Sequence, residues 1–436
     1  MKASHLSTFS SIRRLIGLAS DPVITMEKIR KSYGDFAVLK MGRKNIFFCF
    51  HPDLAQDVFQ KNQSAFRKSR AVFDQIIPLT GRRGLVQLEG KDGLAHRRLT
   101  IKAFSSASLL DYLSRFAENF ANFRTDIQTK MTDDSALDLA PHISKLVLRN
   151  ALSMVIGTFD EDIVENLLED LLSINTLCGA EIRRKTSLSF LIRRNRSHHI
   201  KKVETSLSQK IHQLMEASKQ SQQKSLTSHL FEENIDPEQM QHHVRTFLFA
   251  GFETTTTSIL MSLYLLAKNP EVKQKVQAEV RSCHLEEMPS LRSQKLLLNC
   301  YKEALRLYPP SWTLAREAVQ DTSIGDEAVK PGDQVFFGLS EIHRHETFWK
   351  NPHDFFPDRF NEEDQYEFAY LPFGAGSRIC IGMQTAYVEA CYVIGAFLKE
   401  FDISIAKDFS PIMRAQITSH PTNGLPVYIK KVSSHA

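Results

Sequence analysis

The sequence predicts a mainly α-helical chain with small β-sheets, folded as one large domain over residues 1–436. Apolar residues recur at three- and four-residue spacing over most of residues 92–401, which is the period of a helix with one buried face. Strand-like segments are confined to residues 36–50, 315–340 and 425–431. Hydrophobic residues make up 42% of the chain, which is enough for a large core. Residues 1–20 are expected to form a flexible N-terminus.

Charge and cysteine usage narrow the functional class. The chain has 55 Lys and Arg against 50 Asp and Glu, and a net charge of +5 is too small to indicate nucleic-acid binding. The 6 cysteines form no CxxC pair, which favours a reducing compartment and a cytoplasmic location. No apolar run reaches the roughly 18–20 residues that a bilayer requires, so no transmembrane anchor is predicted.

The first elements are two short strands and a helix. Residues 36–41 and 45–50 have strand composition on either side of a turn at residues 42–44, and a helix is expected to begin near Pro52.

A long helix is predicted from Asp236 to Lys268. Asp236 is a suitable N-cap, Pro237 suits the first helical position, and Gln239 completes a capping-box pattern. A helix of roughly 30 residues is about 45 Å long, because each residue adds about 1.5 Å. Such a helix crosses the whole protein, so its middle at residues 249–257 must lie in the core.

The strongest chemical signal is Cys380 within the glycine-rich segment 373–382. Glycine permits tight turns and close approach of the backbone to a flat ligand. Arg378 can pair with a carboxylate, and the helical pattern of residues 381–398 places Cys380 at a helix N-terminus, where a thiolate is stabilised. The plainer interpretation is a buried cysteine in a glycine-rich turn.

Two further segments are weaker when taken alone. Glu303 and Arg306 are three residues apart on a helix and can form an ion pair, but such pairs are common on surfaces. Residues 250–255 place glycine and threonines in the middle of the long helix, although these residues are poor helix formers. They indicate either a tolerated irregularity facing solvent or a widened turn beside a small bound ligand.

Together these segments resemble the cytochrome P450 family. Residues 373–382 fill every position of its haem-binding signature, which runs Phe, two residues, Gly, one residue, Arg, one residue, Cys, one residue, Gly. Glu303 and Arg306 match its ExxR motif, and residues 250–255 are similar to its oxygen-activation motif. The resemblance runs from about Tyr33 to Val427. It implies the cytochrome P450 fold, a triangular helix-rich prism with the long central helix over the haem.

The resemblance also implies the roles of individual residues. Cys380 would bind the iron of haem b, Thr254 would contact dioxygen, and Glu253 would relay protons from solvent. Arg359, from a Pro-x-Arg-Phe segment, would join Glu303 and Arg306 in a structural triad. The family usually has Trp or His where this chain has Gly93, four residues before a propionate-binding arginine. The implied cofactor-binding residues are Arg97, Arg316, Phe373, Arg378, Cys380 and Gly382, and the implied substrate-lining residues are Phe247, Ala250, Trp312, Thr313, Leu314 and Ile417.

The implied activity is a monooxygenase that inserts one atom of O2 into a hydrophobic substrate by hydroxylation or epoxidation. Electrons would come from NAD(P)H through a separate ferredoxin or flavodoxin type donor, docked near Cys380, as in soluble bacterial-type members. The alternatives are a peroxide-driven peroxygenase, a haem-dependent isomerase or lyase, and a non-catalytic haem sensor or carrier. The basic stretch of residues 183–202 indicates either a solvated face or contact with a membrane surface or an anionic substrate.

Overall fold

The computed structural model describes residues 1–6, 17–18, 20–132, 135–186, 196–221, 223–362 and 367–432. Its helices are α1 (Pro22–Tyr33), α2 (Pro52–Gln56), α3 (Arg70–Phe73), α4 (Ile77–Thr80), α5 (Gly90–Thr100), α6 (Ser106–Lys130), α7 (Leu139–Val155), α8 (Asp162–Thr186), α9 (Arg196–Ser218), α10 (Leu226–Glu232), α11 (Pro237–Lys268), α12 (Pro270–Arg281), α13 (Met288–Arg292), α14 (Lys295–Leu307), α15 (Leu339–Ile342) and α16 (Met383–Glu400).

The strands are short and form small sheets. They are β1 (Ser4–His5), β2 (Phe36–Met41), β3 (Lys44–Cys49), β4 (Phe66–Lys68), β5 (Leu137–Asp138), β6 (Thr313–Ala318), β7 (Thr322–Ile324), β8 (Glu327–Val329), β9 (Gln334–Gly338), β10 (Phe401–Ser404), β11 (Met413–Ala415), β12 (Ser419–Pro421) and β13 (Pro426–Lys431).

Helix α11 lies in the centre of the helical body. It packs against α7, α14 and α16, and most of its side chains are buried. The Asp236 carboxylate caps it by accepting a hydrogen bond from the Gln239 backbone N–H at 3.0 Å, as the sequence predicts. The predicted capping box is wrong in its second half, because the Gln239 amide instead bonds to Arg83.

The largest sheet has the strand order β1-β2-β3-β9-β6-β4. The predicted hairpin is confirmed, since β2 and β3 pair antiparallel from Phe36–Cys49 to Met41–Lys44. Strand β1 pairs parallel with β2, and the Met1 ammonium group lies 3.1 Å from Asp326. The flexible N-terminus expected for residues 1–20 stays a prediction, and residues 7–16 and 19 lie outside the described chain.

The hairpin of β11 and β12 lies at the start of β6. The Trp312 indole Nε1–H donates to the Gln416 carbonyl at 3.1 Å, and the Ser419 N–H donates to the Pro310 carbonyl at 2.7 Å. These bonds fix the hairpin turn at residues 416–418 beside the segment that leads into β6.

The structure bears in part on two sequence expectations, which concern a transmembrane helix and the basic stretch 183–202. Within the described ranges, no helix combines the length and the apolar character needed to cross a membrane. The basic stretch 183–202 falls largely on residues whose side chains are not described, between the end of α8 and the beginning of α9. A single domain over residues 1–436 stays a prediction.

Candidate functional site

The loop that carries Cys380 immediately precedes α16. The Cys380 N–H donates to the Phe373 carbonyl at 2.9 Å, which closes the loop on itself. The thiol is exposed, yet burial raises its pKa, opposed by the Gly382 N–H and the Arg97 charge. An exposed atom in a desolvated environment faces a space inside the fold, so the thiol is accessible to a ligand bound there.

Gly376 holds this loop against the chain near Phe59. Its φ is +69°, a conformation that disfavours residues with a side chain. A Cβ at this position would lie 2.2 Å from the Phe59 carbonyl oxygen. The glycine therefore allows a close backbone approach that fixes the position of the cysteine loop.

Three arginines converge on the cysteine loop. Arg97 donates to the Ile379 carbonyl at 2.6 Å, and Arg378 forms an ion pair with Glu89 at 2.8 Å. Arg316 lies over the Phe59 ring at 4.8 Å and is 6% exposed. Burial and, to a smaller extent, the charge of Arg378 lower the pKa of Arg316 to about 10.

Positive charge exceeds negative charge in this region. Burial lowers the pKa of Lys68 to about 8, and the charges of Arg378, Arg316 and Arg97 act in the same direction. The carboxylate of Glu89 acts on the pKa of Lys68 and of Arg316 in the opposite direction. A buried excess of cations indicates a site for anionic groups, and the two propionates of haem fit it.

The middle of α11 faces an open space. Ala250 is exposed although Phe249 and Phe252 are buried, and a Cβ added to Gly251 would meet no atom within 4 Å. The Thr254 hydroxyl donates to the Ala250 carbonyl at 2.6 Å. The helix is continuous here, so the widened turn considered from the sequence is not seen as a break.

A chain of side chains connects α11 to the cysteine loop. The Ser258 hydroxyl lies 3.0 Å from the Tyr301 hydroxyl, and the Tyr301 ring packs against Tyr387 at 5.8 Å. Tyr387 in turn packs edge-on against Phe373 at 5.2 Å. Since Ser258 is one turn after Thr254, the oxygen-activation segment and the cysteine loop flank the same region.

Glu253 lies on α11 but is not open to solvent. The Asn175 amide on α8 donates to its carboxyl, and His420 Nδ1 of β12 lies 3.8 Å away. Burial raises the pKa of Glu253 to about 7, opposed by the Thr418 hydroxyl. A relay of protons through Glu253 stays a prediction.

Glu303, Arg306 and Arg359 form a buried ion-pair triad. Arg306 donates to both carboxylate oxygens of Glu303 at 2.7 and 2.9 Å, and Arg359 donates to Glu303 Oε1 at 3.0 Å. The remaining Arg306 donors bind the carbonyls of His343 and Pro352. The triad connects α14 to the loop region 343–360 and does not face the open space.

The substrate-lining residues implied by the resemblance lie on α11, at the start of β6 and on the β11–β12 hairpin. Phe247 stacks on Phe104 at 5.1 Å and is 8% exposed, and a Cβ added to Gly374 would lie 3.9 Å from the Leu314 side chain. Trp312 and Ile417 are half-buried at the β11–β12 hairpin. Their role as a pocket wall stays a prediction.

Several residues near the site were missed from the sequence. Lys68 and Glu89 lie among the arginines, and Asn175 and His420 contact Glu253. Asn175 had a usable signal, because it interrupts the buried stripe of α8 formed by Leu171, Ile174 and Cys178. Lys68, Glu89 and His420 lie in short segments with no periodic pattern that would single them out.

An accessible thiol, a buried cation group and an open helix face define a haem-thiolate enzyme. A family model described as Cytochrome P450 matches residues 14–426, and the chain belongs to this family of haem-thiolate monooxygenases. It is 25% identical to human Cytochrome P450 4Z1 over 93% of this chain and 86% of that protein. It is 26% identical to rat Cytochrome P450 4A14 over 90% of this chain and 82% of that protein.

A plant relative extends the comparison. Protein LUTEIN DEFICIENT 5, chloroplastic, from Arabidopsis thaliana is 25% identical over 94% of this chain and 74% of that protein. These relatives are human, rat and plant proteins, so the bacterial-type expectation stays a prediction.

Proposed function

We propose that this cytochrome P450 binds haem b through Cys380 and inserts one oxygen atom into a hydrophobic substrate by hydroxylation or epoxidation. The observation that carries the proposal is the exposed Cys380 thiol on a loop surrounded by Arg97, Arg316 and Arg378. A thiolate ligand and a cationic cradle are what an iron porphyrin with two carboxylates requires.

Each site residue then has a defined task. Arg97, Arg316 and Arg378 hold the propionates, while Phe373 and Gly382 shape the cysteine loop on either side of Cys380. The haem supplies the oxygen chemistry. Thr254 holds a proton at its hydroxyl on the open face of α11, where it bonds to Ala250. Glu253 stores a proton near neutral pH, because burial raises its pKa to about 7.

The electron source and the location complete the proposal. Electrons come from NAD(P)H through a ferredoxin or flavodoxin type donor that docks on the face next to Cys380. A cytoplasmic location is supported by the cysteines, which are all free in the structure. Fractionation of cells that express the natural gene tests this location, and recovery of the chain with membranes or an organelle would contradict it.

The absorption spectrum of the reduced protein under carbon monoxide tests the central claim. Native protein should show a strongly red-shifted Soret band, and Cys380→Ser should lose the shift because an alcohol is not a thiolate. Cys283→Ser is the matched control, since Cys283 is another partly exposed thiol outside the loop. Native protein that binds no haem when haem is supplied would contradict the proposal.

A second measurement separates the monooxygenase from the peroxide-driven alternative. Oxygen consumption with NAD(P)H, a reductase and ferredoxin should depend on substrate and yield oxidised product. Product formation with hydrogen peroxide alone, and none with the electron donors, would favour a peroxygenase instead.

A further inference from the structure

Buried polar atoms without a hydrogen-bond partner concentrate on three segments next to the open face of α11. Such atoms are costly in a folded protein unless a ligand or water binds them. Six of the ten in the described chain lie at Asn175 on α8, at Glu253 in the middle of α11, or on the start of β6 and the β11–β12 hairpin bonded to it. They are Asn175 Oδ1, Glu253 Oε2, Thr313 Oγ1, Gln416 Oε1, Thr418 Oγ1 and His420 Nδ1.

Three of these side chains surround the carboxyl of a fourth, Glu253. Asn175 donates its amide to Glu253, and His420 Nδ1 lies 3.8 Å from Oε1. The Thr418 hydroxyl is close enough to lower the pKa of Glu253, although its geometry does not make a hydrogen bond. Asn175, Glu253 and Thr418 are 2%, 6% and 6% exposed. We refer to Asn175, Glu253, Thr418 and His420 as the acceptor cluster.

The acceptor cluster adjoins the proposed substrate space. Glu253 is three residues after the exposed Ala250, and residues three apart lie on the same side of a helix. The hairpin that carries Thr418 and His420 is bonded to Trp312 at the start of β6. A substrate lying along α11 therefore has one end next to the acceptor cluster.

The chemistry of the unpaired atoms limits the ligand. A carboxyl oxygen, an amide carbonyl oxygen, a hydroxyl and an imidazole nitrogen can all accept hydrogen bonds. A ligand that satisfies them must donate, and a carboxyl group among them favours a cation. An anionic substrate end is disfavoured, because it would meet Glu253 in a desolvated environment.

We propose that the acceptor cluster binds a protonated amine of the substrate and so directs an amphiphilic amine along α11 with its apolar part toward Cys380. This inference rests on the proposed monooxygenase function and names the substrate class. The other titratable neighbour, His420, does not compete as a cation, because burial and the charge of Arg414 lower its pKa. With a pKa of about 7, Glu253 becomes a carboxylate at little cost when the cation arrives.

Two probes of equal shape test this assignment on the haem-loaded protein. N,N-dimethyloctylamine is protonated at neutral pH. The matched tertiary alcohol, 2-methyldecan-2-ol, has a carbinol carbon in place of the nitrogen and is neutral. Binding is measured by calorimetry and by the Soret shift. We expect the amine to bind roughly tenfold more tightly or better, as for a hydrogen bond between charged groups. Equal binding, tighter binding of the alcohol, or no binding of the amine would overturn the proposal.

Variants assign the preference to the acceptor cluster. Glu253→Gln and Asn175→Leu should reduce amine affinity to that of the alcohol and leave the alcohol unchanged. Glu389→Gln is the matched control, because Glu389 is also buried and accepts a bond from an asparagine amide, Asn150, at 2.9 Å. An amine preference that survives Glu253→Gln would contradict the proposal.

Failure of the amine site and failure of the haem function give different results. Calorimetry reports amine binding whether or not the iron has a thiolate ligand, and the carbon monoxide spectrum reports the ligand without any amine. A normal carbon monoxide spectrum without amine preference would refute only the substrate class.

Discussion

At the scale of single residues, Arg316 is a buried cation, and no neighbouring carboxylate in the described chain balances its charge. Its guanidinium donates to its own Ala315 carbonyl at 2.9 Å and lies over the Phe59 ring. Among the described residues, no carboxylate forms an ion pair with it. A buried charge of this kind destabilises the protein without ligand and stabilises the complex with an anion.

Replacing Arg316 with methionine should therefore separate stability from haem binding. We expect Arg316→Met to leave the haem-free protein as stable as the native chain or more so, and to speed haem loss about tenfold or more. Haem transfer to apomyoglobin measures the loss, and urea unfolding of haem-free protein measures stability. Arg67→Met is the control, because Arg67 is paired with Glu317 at 2.7 Å and should affect stability only.

Glu389 gives a prediction on pH. Burial raises its pKa to about 8, against a bond from Asn150 that lowers it. Between the ordinary carboxyl pKa and about 8, the folded state binds more protons than the unfolded state, so stability falls as pH rises. We expect Glu389→Gln to be the more stable protein at pH ~9, by on the order of 3 kcal/mol, and to lose that advantage at pH ~5.

Urea midpoints of the two proteins at both pH values check this prediction. An advantage of Glu389→Gln that is the same at both pH values would contradict it, since the effect depends on the charge of the carboxylate.

Residue roles were predictable from the sequence only where residues belong to a local motif. Cys380 and Arg378 stand in one segment, and the structure places both next to Arg97 and Arg316. Asn175 and His420 are far from Glu253 in sequence and meet it only through the packing of α8 and the β11–β12 hairpin. Periodicity within a segment contains no information on such contacts.

At the scale of elements, the cysteine loop depends on Gly376, which differs from Gly42 in the turn between β2 and β3. Gly376 has a φ of +69° and no space for a Cβ, whereas Gly42 has a φ of +59° and open space around it. Alanine at Gly42 should cost about 1 kcal/mol, the strain of the backbone alone. Gly376→Ala must also displace the loop from Phe59, so we expect a larger loss of stability and a reduced red-shifted Soret band.

The two alanine variants are compared by urea unfolding and by the carbon monoxide spectrum. If Gly376→Ala and Gly42→Ala behave alike in both, the close approach of Gly376 to Phe59 does not control the loop.

The buried triad of Glu303, Arg306 and Arg359 joins α14 to the loop region 343–360. Removing one member leaves charge and hydrogen-bonding groups buried without a partner, which typically costs about 3–5 kcal/mol. We expect Arg359→Ala to lose this amount in urea unfolding and to retain less haem. Lys31→Ala is the control, because the exposed pair of Lys31 with Glu27 contributes less than about 1 kcal/mol.

Elements with local signals were predicted well from the sequence. The cap at Asp236 and the apolar period determined α11, and the composition around residues 42–44 determined the hairpin. The side chain of Gln239 was predicted wrongly, because its partner Arg83 lies in a distant segment and competes with the local cap. Strand β1 was missed, since two residues have no pattern and pair only because β2 is present.

At the scale of the whole molecule, α11 contacts different parts of the chain at its two ends. At its N-terminal half, His243 contacts His96 on α5 at 3.1 Å, and α5 reaches the cysteine loop through Arg97. At its C-terminal end, Lys268 contacts the Lys407 carbonyl. The two ends lie about 48 Å apart, because each helical residue adds about 1.5 Å.

Helix α5 presents basic and apolar side chains to solvent beside the cysteine loop, to which Arg97 joins it. It carries exposed Lys91, Arg98 and Leu94, and Ile101 beside its end is 45% exposed. Basic groups around apolar side chains fit an acidic protein partner that docks close to Cys380. We expect Arg98→Glu to lower the rate of reduction by an acidic ferredoxin several-fold, with a smaller difference at high salt. Lys407→Glu, the same charge change at the other end of α11, should have little effect, and an equal loss in both variants would show that net charge alone governs docking.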